Sequence, residues 1–98
     1  MYAMFIIDLT YTKPLSEVEK YLPDHIQYLE KYYESGHFMM SGRKDPRIGG
    51  VILAKGESLE TITSIYHEDP FFINEIATYT VTTFIPSKWA ADFQNILG

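Results

Sequence analysis

The sequence of 98 residues contains no cysteine. This excludes a disulfide framework, a thiolate nucleophile and a thiolate metal site, and it leaves no cysteine pattern from which to infer a redox compartment. Clusters of basic residues are lacking as well, and the formal net charge is −5 at pH 7. Because binding to a phosphate backbone depends on clustered Lys and Arg, this charge balance argues against a nucleic-acid partner.

Long apolar runs are also missing from the sequence. No stretch approaches the roughly 20 apolar residues that a membrane-spanning helix needs. The opening residues, MYAMFIIDLTY, lack the basic flank, the longer apolar core and the small-residue cleavage site of a signal peptide. No membrane partner is therefore expected, and a cytoplasmic location is the default expectation.

The composition is typical of one globular domain. Hydrophobic residues make up 46% of the sequence and aromatic residues 15%, whereas a disordered chain would be poorer in aromatics. The length matches the commonest domain size, and no repeat or linker divides residues 1–98, which are expected to form a single domain. A domain this small buries only about 60–70% of its unfolded surface, so an apolar face left uncovered would favour oligomerisation.

The predicted order of elements is β, α, β, β, α, β. Strands are predicted for Tyr2 to Leu9 and for the stretches HFMMSG, GGVILAKG and ATYTVTTFI, the second and third as antiparallel neighbours. A second helix is predicted after a Ser58 cap, and the tail SKWAADFQNILG could form a short terminal helix. This order indicates an α+β, ferredoxin-like fold, with both helices on one face of a four-stranded antiparallel sheet. The first strand is apolar on both faces, so a second copy of the chain is the simplest cover for the open face.

The first helical stretch contains a proline. A proline inside a helix removes a backbone hydrogen bond, so a short lead-in helix is predicted over Ser16–Leu22, with Ser16 and Glu19 forming a capping box. The main helix is predicted to restart at Pro23 and to end near Gly36, which can adopt the left-handed conformation of a helix C-terminus.

A single histidine, His25, lies beside the apolar stripe of this main helix. Helical spacing at about 100° per residue assigns to the core stripe Leu22, Ile26, Leu29 and Tyr33. His25 shares its flank with Tyr28 and Tyr32, and this flank is expected to line a cavity or an interface. Packing alone would explain such a histidine. Alternatively, the first turn of the restarted helix would favour a neutral imidazole, which suits a general base near pH 7.

The candidate partner of His25 is Asp69, in the stretch YHEDPFFINE. An Asp followed by Pro begins many helices, so Asp69 is expected to cap a helix whose first residue is Pro70. Capping and a contact with His25 can coexist if one carboxylate oxygen stays free. A purely structural role and a catalytic role for Asp69 therefore both remain open at this point.

These motifs resemble those of the YciI-like family of small proteins with the dimeric α/β-barrel fold. The family pattern PxHxxxL…G is matched by Pro23, His25, Leu29 and Gly36. Its DPF pattern follows at residues 69–71, and the stretches SG, GGVIL and SLE extend the resemblance over nearly the whole chain. The resemblance implies a homodimer in which His25 and Asp69 match the His and Asp proposed as the family's active site. It also implies lyase or dehydrohalogenase-like steps on small cyclic compounds, which are linked to some relatives.

Three further residues are expected to shape a substrate site: Ser41, Arg43 and Phe71. Arg43 could hold an anionic substrate group by a bidentate contact, although charges in such a loop are often only solvated. Core packing is the alternative for Phe71. Asp8 could join the cavity or simply begin a turn.

The three histidines lack the spacing of a metal motif, so neither a metal nor another cofactor is expected. His67 suits a helix C-terminus electrostatically, and His37 precedes a strand. The leading hypothesis is a cofactor-free lyase or isomerase that acts on a small molecule, with His25 as general acid or base and Asp69 as its partner. The rival hypotheses are a dimeric module that binds a metabolite without converting it, and a purely structural dimerisation domain.

Overall fold

The computed structural model of the protein describes residues 3–97, so the predicted strand start at Tyr2 lies outside the described residues. The helices and strands are, in chain order, β1 Ala3–Tyr11, α1 Leu15–Glu34, β2 Phe38–Arg43, β3 Gly49–Gly56, α2 Leu59–Tyr66, α3 Pro70–Ile73, β4 Ala77–Phe84 and α4 Gln94–Leu97. A single 3-10 turn at Ala91–Phe93 leads into α4. No helix within residues 3–97 is long and apolar enough to cross a membrane.

The four strands form one antiparallel sheet in the order β2-β3-β1-β4. This confirms the predicted α+β, ferredoxin-like arrangement and the antiparallel pairing of β2 with β3. Ser58 caps α2 as predicted, because its side chain accepts a hydrogen bond from the backbone N–H of Thr61. The short helix α3 is the one that Asp69 was expected to cap, although it was not counted in the predicted order of six elements.

Helix α1 runs without a break through Pro23, so the predicted lead-in helix is wrong. The capping box is wrong as well, since the helix begins at Leu15 and the residue before it, Pro14, makes no side-chain cap. An interior proline costs about 3 kcal/mol, and burial of Val18 before it and Tyr32 after it offsets that cost by holding both halves on the sheet. The helix ends as predicted, with Gly36 at φ +88°.

The core lies between the helices and one face of the sheet. Phe5, Ile7 and Leu9 alternate along β1 towards the helices and are fully buried. The predicted core stripe of α1 is wrong in part, because Ile26 is 45% and Tyr33 38% exposed. The buried residues of α1 after the proline are instead on the His25 flank, where large aromatic rings fill the space above the sheet.

The opposite face of the sheet carries no helix within the described residues, and it is apolar over much of its area. Met4 and Ile6 of β1, Leu53 of β3 and Met40 of β2 alternate away from the helices, as the strand pairing requires. Met40 is 59% exposed, whereas Met4 is already buried within the monomer. The face that was predicted to need a cover is therefore a real feature of the monomer.

The hydroxyl of Tyr28 joins α1 to α2. It donates a hydrogen bond of 3.0 Å to the backbone carbonyl of Ile65, and the Tyr28 side chain is buried. Burial, reinforced by the negative charge of Asp69, raises the pKa of Tyr28 above its usual range. The phenol therefore keeps its proton in the folded chain at a pH where an unfolded tyrosine ionises.

We predict that Tyr28→Phe lowers the free energy of unfolding at pH 7 by about 0.5–1.5 kcal/mol. The effect is modest because the Ile65 carbonyl also accepts the backbone N–H of Glu68. Above about pH 10 the unfolded chain loses the Tyr28 proton while the folded chain keeps it, so stability falls as the pH rises. In Tyr28→Phe the free energy of unfolding should therefore fall less steeply with pH than in the wild type.

Urea unfolding between pH 7 and pH 11 measures both effects. Tyr21→Phe is the matched control, since it removes a half-buried phenol from the same helix for which the structure shows no hydrogen bond. If the free energy of unfolding falls equally steeply above about pH 10 in the wild type and in Tyr28→Phe, the raised pKa of Tyr28 is contradicted.

Candidate active site

A cavity of about 250 Å³ opens between α1 and the β2–β3 end of the sheet. His25 and the three predicted substrate-site residues, Ser41, Arg43 and Phe71, all line it. The apolar wall is formed by Leu22, Ile26, Leu29 and Ile52. Three residues of the helix stripe that was assigned to the core thus line the cavity. On the other flank His25 lines the cavity as expected, while Tyr28 and Tyr32 are buried in the core.

The side chain of His25 contacts Asp69 directly, with 2.8 Å between Nδ1 and Oδ1. Asp69 is completely buried, and the His25 side chain is only 12% exposed. Because these residues are 44 positions apart in the sequence, only the packing of α1 against α3 brings them together. Asp69 does not line the cavity itself but lies behind His25.

Asp69 also caps α3, as predicted. Its Oδ1 accepts a hydrogen bond of 2.9 Å from the backbone N–H of Phe71, with Pro70 at the first helical position. The other oxygen, Oδ2, accepts a hydrogen bond of 2.5 Å from the hydroxyl of Tyr79. Capping and the contact with His25 do coexist, and they do so on one oxygen, because Oδ1 accepts both hydrogen bonds.

This arrangement fixes the tautomer of His25. A carboxylate oxygen accepts hydrogen bonds and donates none, so Nδ1–H of His25 is the donor in its 2.8 Å contact with Oδ1 of Asp69. When the ring is neutral, the lone pair then lies on Nε2. Within residues 3–97 Nε2 has no hydrogen-bond partner, and since no buried side-chain nitrogen is left unpaired there, it must be accessible from the cavity.

Tyr79 of β4 is a site residue that the sequence analysis missed. Burial, followed by the charge and the hydrogen bond of Asp69, raises the pKa of Tyr79 above its usual range. The phenol therefore remains a donor to the carboxylate. The only sequence signal was a tyrosine at an inward-facing position of a Thr-rich strand, which packing explains equally well.

The imidazole of His25 is held in place by stacking. Its ring lies 4.1 Å from the ring of Phe71, at an interplanar angle of 6°. The predicted alternatives for Phe71, cavity lining and core packing, are both realised, because the ring is buried yet contributes to the cavity wall. The dipole argument for a neutral His25 is wrong, since His25 lies in the middle of α1 and not in its first turn.

Polar groups line the cavity on the sheet side. Arg43 is the last residue of β2, and its guanidinium makes no hydrogen bond or ion pair within the described part of the chain. Ser41 shares a hydrogen bond of 2.5 Å with the hydroxyl of Tyr33. Arg47, from the loop at residues 44–48, also lines the cavity and contacts Glu19. Arg47 was not among the residues predicted from the sequence, because charges in loops are commonly solvated.

The other candidate residues lie elsewhere. Asp8 is in the middle of β1, not at its end; it faces the open side of the sheet and pairs with Lys44 at 2.6 Å. His37 bonds to Ser35, and His67 stacks on an exposed phenylalanine. No group of three or more His, Asp or Glu that could hold a metal occurs among the described residues.

The fold has a clear counterpart among solved structures. It is similar to a 5-chloro-2-hydroxyhydroquinone dehydrochlorinase from Burkholderia phenoliruptrix AC1100, solved in complex with 2,5-dihydroxybenzoquinone. The TM-score is 0.70 at 18% sequence identity, over 84% of this chain and 93% of the other. No curated protein matches the chain significantly.

The sequence also matches a family model, that of the YCII-related domain. The match extends over residues 4–85, from the second residue of β1 to the residue after β4. It therefore includes the whole sheet, α1 with His25 and α3 with its Asp69 cap. The resemblance noted in the sequence motifs is confirmed: this chain belongs to the YCII-related family.

Proposed function

We propose that the protein is a small-molecule enzyme that catalyses a cofactor-free proton transfer of the lyase or isomerase type. One observation carries this proposal. The His25 imidazole is bonded through Nδ1 to the fully buried Asp69 and presents Nε2 to a cavity with cationic and hydroxyl groups. A histidine held in this way can act as general base and then return the proton as general acid.

Asp69 is proposed to orient the imidazole and to stabilise its protonated form. The carboxylate keeps the proton on Nδ1, so that the lone pair of Nε2 faces the substrate. When Nε2 takes a proton, the imidazolium lies against a negative charge that is already in place. The Tyr79 hydroxyl and the Phe71 N–H hold that carboxylate still, which avoids reorganisation during the reaction.

The substrate is proposed to be a small oxygenated ring. Arg43 and Ser41 would bind its oxygen atoms on the sheet side, and the apolar residues of α1 would cover its face. The similar structure is by its title a dehydrochlorinase of a chlorinated hydroxyhydroquinone, in complex with a dihydroxybenzoquinone. That chemistry removes a proton and a chloride from a ring, which supports a related elimination by His25 in this chain.

A homodimer is proposed as the form in which the site works. The open sheet face carries apolar side chains, among them Ile6, Met40 and Leu53, that a second copy of the chain could bury. Burial of apolar surface contributes about 25 cal/mol per Å². The barrel-forming dimer that the family resemblance implies would use this face.

We predict that His25→Gln lowers kcat about 100- to 10,000-fold, because proton transfer by a positioned base contributes that much. The assay incubates the protein with 5-chloro-2-hydroxyhydroquinone and other hydroxylated rings. It follows chloride release and the exchange of ring protons with deuterium from the solvent. His67→Gln is the control, since His67 lies outside the cavity.

Retained turnover in His25→Gln would refute the proposed role. Ligand-induced thermal stabilisation that depends on His25, without product from any ring compound, would favour the rival hypothesis of a metabolite-binding module.

Asp69→Asn should lower kcat about 1,000- to 10,000-fold while leaving the fold intact. Asn caps a helix about as well as Asp, so α3 is retained. The neutral amide cannot stabilise the imidazolium and allows the other tautomer. Circular dichroism checks the fold and steady-state kinetics measures the loss. A variant that is folded and fully active would exclude catalytic assistance by Asp69.

Leu53→Glu, in the centre of the open face, should convert the dimer into a monomer, because the dimer would bury a charge without a partner. Light scattering after size-exclusion chromatography measures the mass. Met40→Glu tests the same face at an exposed edge position, where folding of the monomer tolerates the change. Ser64→Glu on the exposed side of α2 is the control. A monomeric wild type would contradict the proposal.

A further inference from the structure

Two guanidinium groups lie on one wall of the cavity. Arg43 at the end of β2 and Arg47 in the following loop both line it, together with His25. No Asp or Glu lines the cavity within the described residues. The carboxylate of Asp69, which bonds to His25, is completely buried and does not line the cavity. In a chain with a net charge of −5, the cavity is therefore a local site of positive charge.

The partners of the two arginines differ. Arg43 has none within residues 3–97, whereas Arg47 makes a single contact of 3.3 Å from Nη1 to Oε1 of Glu19 on α1. The side chains are 26% exposed for Arg47 and 62% for Glu19. A long, single contact to an exposed carboxylate is weak, because water competes for both groups. An anion that enters the cavity can therefore replace Glu19.

The backbone around Arg47 is fixed, so this exchange requires only a rotation of side chains. The carbonyl of Ile48 accepts the N–H of Tyr11 at 2.8 Å, and the N–H of Lys44 donates to Gly49 at 2.8 Å. The Lys44 ammonium also bonds to Asp8 at 2.6 Å. These contacts tie both ends of the loop to β1 and β3.

We propose that Arg43 and Arg47 together bind ionised oxygen atoms of the substrate, and that Glu19 holds Arg47 at the cavity rim until the substrate displaces it. This inference rests on the proposed function of the cavity and names its ligand class: a small planar ring that carries phenolate, enolate or carboxylate oxygens. Two planar guanidinium forks match such oxygens in pairs, which a single arginine does not.

The same contacts assist proton removal. When His25 takes a proton from a carbon next to a carbonyl group, negative charge moves onto the carbonyl oxygen. An arginine already positioned at that oxygen stabilises the charge as it develops. Arg47 is thus a substrate-binding residue, and Glu19 is a positioning residue that acts through Arg47.

The test measures binding without turnover. Isothermal titration calorimetry at pH 7 uses the His25→Gln variant and two probes of similar shape. One is 2,5-dihydroxybenzoquinone, which is an anion at this pH because its hydroxyl groups are vinylogous acids; the other is hydroquinone, which is neutral. The anion should bind at least about tenfold more tightly, since hydrogen bonds between charged groups are the stronger ones.

When Arg47→Gln is introduced into the His25→Gln variant, it should weaken binding of the anion about tenfold or more. The affinity with Arg47→Lys should lie between those with Arg47 and with Arg47→Gln. Lys20→Gln is the control for the loss of a cation elsewhere on the surface. Glu19→Gln should strengthen binding about two- to fivefold, because Arg47 is released. Glu17→Gln, which removes the same charge from the same helix, should have a smaller effect.

Equal affinity for the two probes, including no binding of either, overturns the inference. So does an unchanged affinity in Arg47→Gln, or an equal effect of Glu19→Gln and Glu17→Gln. Binding that depends on Arg47 in a protein that turns over no ring compound supports the inference and refutes the proposed catalysis. Turnover that depends on His25 but not on Arg47 supports the proposed catalysis and refutes the inference about Arg47.

Discussion

A carboxylate with no exposed surface, that of Asp69, connects three parts of the chain around the cavity. It accepts hydrogen bonds from His25 on α1, from the backbone at the start of α3 and from Tyr79 on β4. A buried charge is strongly unfavourable unless its hydrogen-bonding capacity is satisfied, so all three donors are needed together. The position of α3, the orientation of the imidazole and the environment of the Tyr79 phenol all depend on this one group.

The cavity lies beside α1, a single continuous helix of 20 residues. Its buried aromatic residues, Tyr28 and Tyr32, hold the helix against the sheet, and the adjacent stripe with Leu22 and Ile26 is left to cover open space. On the sheet side β2 ends at Arg43, which lines the cavity. The loop at residues 44–48 follows β2 and contributes a second arginine, Arg47, to the cavity lining.

The two faces of the sheet have different chemistry. One face, with Phe5 and Ile7, is closed by the helices and forms the core. The other alternates Met4, Ile6 and Leu53 with polar residues and has no helix over it in the described part of the chain. Met4 is buried within one subunit, but Ile6 and Leu53 are only partly buried and Met40 is exposed, and this uncovered apolar surface is the physical basis of the proposed dimer.

The sequence by itself determined the order of the four strands and two main helices, the antiparallel sheet, the Ser58 and Asp69 caps and the left-handed Gly36, because periodicity and capping act over a few residues. His25 and Asp69 were also found from sequence, through short motifs. Only the tertiary structure decided that α1 continues through Pro23, which face of that helix is buried, and that Tyr79 and Arg47 belong to the site. These outcomes depend on contacts between residues far apart in the chain, and packing there outweighs local preference.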